Sequence, residues 1–203
     1  MGVDGVHYFM AILVPDDAAD VDAYVARVME RYSEERQVEP YKEYLDDGDI
    51  KAMAKHCGFR AEDAAREAPA RMQSYFAGTG GVDERGIYRW STYNPESEWD
   101  WYTSGGRFPP LRPGVRVRSL PNDFDCWGIV DLDGKWWDRG EFWTDTPYRP
   151  ALAPFRDVFH DGGHDADALA RLQAQVDAAW DAKRKELLAQ HQEARVVGLD
   201  CHM

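Results

Sequence analysis

A chain of 203 residues is long enough for one domain with a sizeable core, and 44% hydrophobic with 13% aromatic residues excludes an intrinsically disordered composition. Its formal net charge of −13, from 37 acidic and 24 basic side chains, opposes duplex nucleic acid and anionic membrane surfaces at long range, while it suits a basic protein partner. No apolar run reaches the roughly 20 residues that cross a bilayer, and "MGVDGVHYFMAILVP" lacks the basic start and small-residue cleavage site of a secretory signal.

The Met-Gly start matches the first step of a myristoylation signal, but Val6 stands where Ser or Thr is needed. Cys57, Cys126 and Cys201 are widely separated and form no C-x-x-C pair, which argues against a disulfide framework and a structural zinc site. The expectation is a soluble, cytoplasmic protein with free thiols, no metal and no cofactor.

In chain order, "HYFMAILVP" from His7 to Pro15 reads as a buried strand ended by proline. Asp16 or Asp17 is expected to cap a helix whose Val21, Tyr24, Val25, Val28, Met29 and Tyr32 make one apolar stripe. "QVEPYKEYL" reads as an extended or irregular link. Ile50, Met53, Ala54 and Cys57 mark a short helix closed by Gly58, and a further helix spans about 61–76, kinked at Pro69.

"GIYRWSTY" over 86–93 is aromatic and β-branched enough for a strand. "VRVRSL" alternates at period two, and "CWGIVDLDGKWWDRG" reads as two strands around an Asp133-Gly134 turn. Then comes a long amphipathic helix over about 165–191, with Leu169, Leu172, Val176, Trp180 and Leu187 as its apolar positions. "ARVVGLDCH", Ala194 to His202, is a closing strand.

Helices and strands mix without regular βαβ alternation, so the fold class is α+β with a mainly antiparallel sheet flanked by helices. Terminal strands hold only when paired, which places the first and last strands in one sheet. No repeat or linker divides the chain. It reads as a single domain over 1–203 with a β-rich, Trp- and Arg-rich middle at about 86–146.

The densest chemistry lies in "YNPESEWDWYTSGGR", Tyr93 to Arg107. A short helical turn at "ESEWDWY" would put Trp99 and Tyr102 on one face and Trp101 elsewhere. Gly105-Gly106 suit positive φ and an anion-binding nest of amides, and Arg107 offers a planar fork for carboxylate or phosphate. Asp100 either contacts a ligand or pairs with Arg107 to brace the loop.

From Trp101 to Asn122 there is no Asp or Glu, while Arg107, Arg112, Arg116 and Arg118 fall inside. On a strand, Arg116 and Arg118 share a face and with Arg107 make an anion cradle; the alternative is an exposed face answered by acids elsewhere. "HDGGHDAD", from His160 to Asp167, lacks zincin and EF-hand spacing and reads as a polar loop with Asp165 capping the long helix. "LDCHM" puts Asp200 and His202 on one strand face and Cys201 on the other, so Asp200 with His202, joined by His7, forms an acid–base candidate.

"NPESEWDWYTSGGR", "GIVDLDGKWWDRGEFW", "VVGLDCHM" and "VEPYKEY" together resemble a group of bacterial and phage proteins with an N-P-x-S-x-W-D-W-Y-x-x-G-G-R-W-like motif and a D-C-H ending. The resemblance spans nearly the whole chain, with Phe108 where that group tends to have Trp. It implies no activity and no residue roles.

The sequence therefore points to a protein that binds an anionic small molecule with a flat moiety, such as a nucleotide-like or aromatic acid metabolite. Trp99, Trp101 and Tyr102 are the stacking candidates, and Gly105, Gly106, Arg107, Arg116 and Arg118 the anion holders. Asp100, Asp200 and His202 are the acid–base candidates, with catalysis left open. The alternative is an acidic interaction protein whose tryptophans are only core.

Overall fold

The alternation in "HYFMAILV" sorts the whole sheet. In the computed structural model, which describes residues 7–76, 79–108, 111, 114–140 and 166–202, this segment is strand β1 (His7–Val14) at the centre of a five-stranded sheet. The described chain forms two compact units, residues 1–33 with 98–203, and residues 34–97.

In the first unit, β1 is followed by helix α1 (Val21–Glu30), whose N-cap Asp20 accepts from the Ala23 amide. The cap is thus Asp20 and not Asp16 or Asp17; Asp16 is held by Arg116 instead. The apolar stripe of α1 packs as its spacing predicts, with Val25, Val28 and Met29 buried and Tyr32 just beyond.

In the second unit, strand β2 (Tyr41–Tyr44) lies inside the segment read as a link. Helix α2 (Asp47–Cys57) is capped by an Asp46/Asp49 capping box and ends on Gly58 at φ 74°. Helix α3 (Ala64–Phe76) contains Pro69 and is preceded by a 3-10 turn over Ala61–Asp63. Strands β3 (Gly80–Asp83) and β4 (Gly86–Ser91) complete an antiparallel sheet ordered β2-β4-β3 over a core of Met53, Ala64, Ala68 and Ile87.

The first unit resumes with β5 (Trp101–Ser104), β6 (Gly128–Val130), β7 (Trp136–Asp138), helix α4 (Ala166–Gln190) and β8 (Arg195–His202). The sheet order is β5-β8-β1-β6-β7, antiparallel throughout except for the β1–β6 pair. The two terminal strands are direct neighbours, paired from His7–His202 to Val14–Arg195. The fold is α+β, as the mixture of elements predicts.

Period two then builds two cores. Tyr8, Met10, Ile12 and Val14 join Leu199, Cys201, Val130 and Trp136 against α1. Ala11, Leu13, Ile129 and Val196 face the other way, against Trp180 and Leu187 of α4. Each such side chain taken fully out of water contributes about 1.5–3 kcal/mol, which fixes the register, since a one-residue slip exchanges the faces.

"VRVRSL" is not a strand. Arg116 makes an isolated bridge to Arg195, and Val117–Ser119 is a 3-10 turn. That bridge, with Val196 donating to Val115 O and Val117 to Ala194 O, goes no further, because Arg118 donates to Gln192 O and Ser119 turns back to Arg116 O. Nor is "ESEWDWY" helical. Asn94–Ser97 turns, Trp99 bridges to Ser33, and the chain then enters β5. The "HDGGHDAD" loop, with His160, His164 and Asp165, lies outside the described residues, as does Arg112.

Candidate functional site

The α4-facing side of the sheet changes character along β1. Leu13 and Ala11 are buried in apolar core, Phe9 comes next, and His7 ends the row. Strand pairing sets His202 opposite His7 and Asp200 opposite Phe9, and β5 sets Trp101 opposite His202 and Thr103 opposite Asp200. The result is a cross-strand row, Trp101–His202–His7, on one face.

The three rings touch. Trp101 stacks on His202 at 5.1 Å and 15°, His202 meets His7 edge-on at 5.0 Å, and His7 meets Trp101 edge-on at 5.2 Å. Each histidine has its own carboxylate. His7 Nδ1 lies 2.8 Å from Asp200 Oδ1, and His202 Nδ1 lies 2.8 and 3.0 Å from the two oxygens of Asp100. Asp200 and His202 share a face as the alternation predicts, but they are not partners of one another. Asp200 lies opposite Phe9, and its side chain reaches diagonally across to His7 on β1.

An ionised carboxylate only accepts, so each Nδ1 carries a hydrogen and Nε2 is the atom left to gain or lose a proton. Neither Nε2 makes a hydrogen bond among the described residues. The side chains of His7 and His202 are 11% and 19% exposed, and that of Asp200 is 2% exposed.

A buried carboxylate needs donors, and the glycine pair supplies one. Gly105 and Gly106 have φ of 77° and 57°, the left-handed turn expected of them. Their own amides donate to Gly198 O and Ser104 O, and the Arg107 amide donates to Asp200 Oδ2 at 2.8 Å. The anion held by this loop is therefore the protein's own Asp200. A Cβ on Gly106 would lie 2.3 Å from Asp200 Cβ and Oδ2, so only glycine allows the approach. Burial raises the Asp200 carboxyl, but the Arg107 amide and His7 outweigh it and hold the group below its ordinary range.

Asp100 does not brace Arg107. It takes the Trp101 amide at 2.7 Å as well as His202. The Arg107 side chain is exposed and forms no hydrogen bond or ion pair among the described residues. Arg116 instead grips Asp16 at 2.6 Å, and Arg118 grips Glu193 at 2.5 Å. The acids elsewhere in the chain answer those two arginines, and no three-arginine cradle forms.

The aromatics of the motif divide between two faces, because the bend at Asp100 turns Trp99 onto the side that Tyr102 occupies. Trp99 and Tyr102 meet edge-on at 4.9 Å and pack on the α1 core, where Trp99 Nε1 donates to Met29 O. Trp101, on the opposite face, is 43% exposed.

Beside His7 opens a cleft of about 470 Å³ whose walls include Phe9, Phe108, Phe124 and Trp127, with Arg139 at its rim. Phe9 lies over Gly198 and meets Phe108 at 5.2 Å. These wall residues come from three distant segments, so no local pattern marked them. The available signal was the parity of Phe9 with His7, once the terminal strands are paired. Among the described residues, no group of three or more His, Cys, Asp or Glu side chains is arranged to hold a metal ion, and no helix is long and apolar enough to cross a membrane.

The chain matches no family model, no curated protein and no solved structure.

Proposed function

We propose that the protein moves protons with the His7–His202 pair on an anionic small molecule that carries a flat ring. The observation that carries this reading is the crossed arrangement, two touching imidazoles with each Nδ1 on a separate carboxylate. A carboxylate at Nδ1 fixes the tautomer and orientation of an imidazole and stabilises its protonated form, the device used for general acid–base work. A ring held by hydrogen bonds at one nitrogen alone would be common; two such rings in contact, one of them, His7, lining an aromatic cleft, are what supports the reading.

The cleft lies within the 300–1,000 Å³ of small-molecule pockets, and its phenylalanines and Trp127 offer faces to a planar ring. Charge supports an anion. Both carboxylates of the row are engaged, and His7 and Arg139 line the cleft together with Asp125, whose carboxylate is paired with Arg139 and Arg184, while the exposed Arg107 directly precedes the wall residue Phe108. The three free thiols, with Cys126 and Cys201 buried, fit a protein that works in the reducing cytoplasm.

Histidine ring protons followed by NMR test the reading. Adding phenyl phosphate is expected to shift the His7 and His202 Cε1–H resonances together, and benzyl alcohol to leave them in place. Resonances indifferent to phenyl phosphate, or equally moved by the alcohol, would remove the anionic-ligand reading.

A further inference from the structure

We infer that the reaction is hydrolysis of a phosphodiester, with one ester group's ring in the aromatic cleft and the phosphorus beside His7 and His202; this rests on the acid–base reading above.

The hydrogen-bond inventory points to phosphorus. Asp200 is engaged by His7 and the Arg107 amide, and Asp100 by His202 and the Trp101 amide. Neither is placed as a free carboxylate to attack or to repel. What remains are two imidazoles and the exposed Arg107 fork, a set that suits a monoanion with two non-bridging oxygens. Cys201 points to the opposite face and is buried, and Cys126, which lines the cleft, is buried with its thiol pushed up to about 12 by that burial, so neither offers a thiolate to an acyl substrate here.

Two similar imidazoles also match the proton traffic of ester hydrolysis at phosphorus. One proton must leave the attacking water and one must reach the departing oxygen. One imidazole accepts the water proton at Nε2 as the water oxygen bonds to phosphorus. The other, protonated, gives its Nε2 proton to the leaving alkoxide as that P–O bond breaks. The products are a phosphomonoester and an alcohol, and water returns a proton from the first ring to the second. No oxidant or further reactant is needed. The cleft's size and its rings Phe9, Phe108, Phe124 and Trp127 select a diester bearing one aromatic or heteroaromatic group, of nucleoside size.

The test uses the full chain with bis(4-nitrophenyl) phosphate as the diester and 4-nitrophenyl acetate as the acyl ester. The diester is expected to be hydrolysed, with His7→Gln and His202→Gln each lowering kcat about 10²–10⁴-fold. Arg107→Ala is expected to raise KM for the diester. Thermal melts run alongside, and where a histidine variant melts early, Asp100→Asn carries the test. Asp100 is a positioning residue whose loss, assayed below the variant's own melt, should lower kcat at least tenfold without moving KM. Histidine-dependent turnover of the acetate without the diester would overturn the phosphodiester assignment and leave the acid–base reading standing. Diester turnover indifferent to both histidines and to Asp100, or no histidine-dependent turnover of either ester, would overturn both.

Discussion

His7 and His202 stand opposite one another on β1 and β8, 5.0 Å apart, and their carboxylates are crossed between strands. Asp200 on β8 serves His7 on β1, while Asp100, at the entry to β5, serves His202 on β8. Three strands are thereby tied by charge-assisted bonds at one end of the sheet. The ends of the chain supply both histidines, so the site forms only when the long-range β1–β8 ladder is complete.

The glycine loop gives the first prediction. Gly106→Ala drives a methyl into Asp200 at 2.3 Å and holds a non-glycine residue at φ 57°. We expect a loss of about 2–4 kcal/mol in denaturant melts, from the strained backbone and the displaced carboxylate together. Gly134→Ala is the comparison, with φ 75° and nothing within 4 Å of the new Cβ. It should cost about 1 kcal/mol, the backbone share alone. Equal losses at the two positions would mean that Gly106 is not shaped by its contact with Asp200.

The need of a terminal strand for a partner was enough to place "HYFMAILV" and "ARVVGLDCH" in one sheet, and strand parity in "LDCH" set Asp200 and His202 on one face. It was not enough to choose partners. Alternation tells which side chains share a face but not which strand lies beside which, and the Asp200–His7 and Asp100–His202 pairs depend on strand order. Arg116 and Arg118 misled for the same reason. Their period-two spacing fits a strand, but the Val117 and Arg118 amides bond to the turn before β8, and Asp16 and Glu193 hold the guanidiniums. Trp99 and Tyr102 were paired correctly from a wrong helix, because the bend at Asp100, just before β5, turns Trp99 onto the face of Tyr102.

Acid sensitivity supplies a second prediction. Asp200 has a folded-state pKa below its ordinary value, so the stability it contributes is complete above the ordinary carboxylate range and is lost as pH falls through the folded value. Melting temperature should therefore drop on acidification below about pH 4. Asp83, held at about 2 chiefly by Lys42, adds to the same fall. The difference between the intact chain and Asp200→Asn isolates the first contribution. The variant should be less stable at neutral pH, and the gap should close toward pH 2. A gap that stays constant with pH would show that the Asp200 charge is not what stabilises this corner.

The last prediction separates Arg107 from the framework. Its amide is structural, since it donates to Asp200 whatever the side chain, while its guanidinium is exposed, makes no hydrogen bond or ion pair among the described residues, and acts on Asp200 only as a nearby charge. Arg107→Ala keeps the amide, so stability should stay within about 0.5 kcal/mol, as for other exposed positions. Affinity for phenyl phosphate should fall by roughly tenfold to a hundredfold, the 1.5–3 kcal/mol of a charge-assisted contact. Arg107→Lys should recover little of it, because an ammonium lacks the two-pronged fork. The same reasoning fixes the Asp100 coupling. Asp100 bonds to His202 and not to Arg107, so in Asp100→Asn with Arg107→Ala the stability changes should add within about 0.5 kcal/mol. Strong non-additivity would mean that Arg107 braces Asp100 in solution. A loss of several kcal/mol from Arg107→Ala alone, with phenyl phosphate affinity unchanged, would make the guanidinium a structural group and take it out of the site.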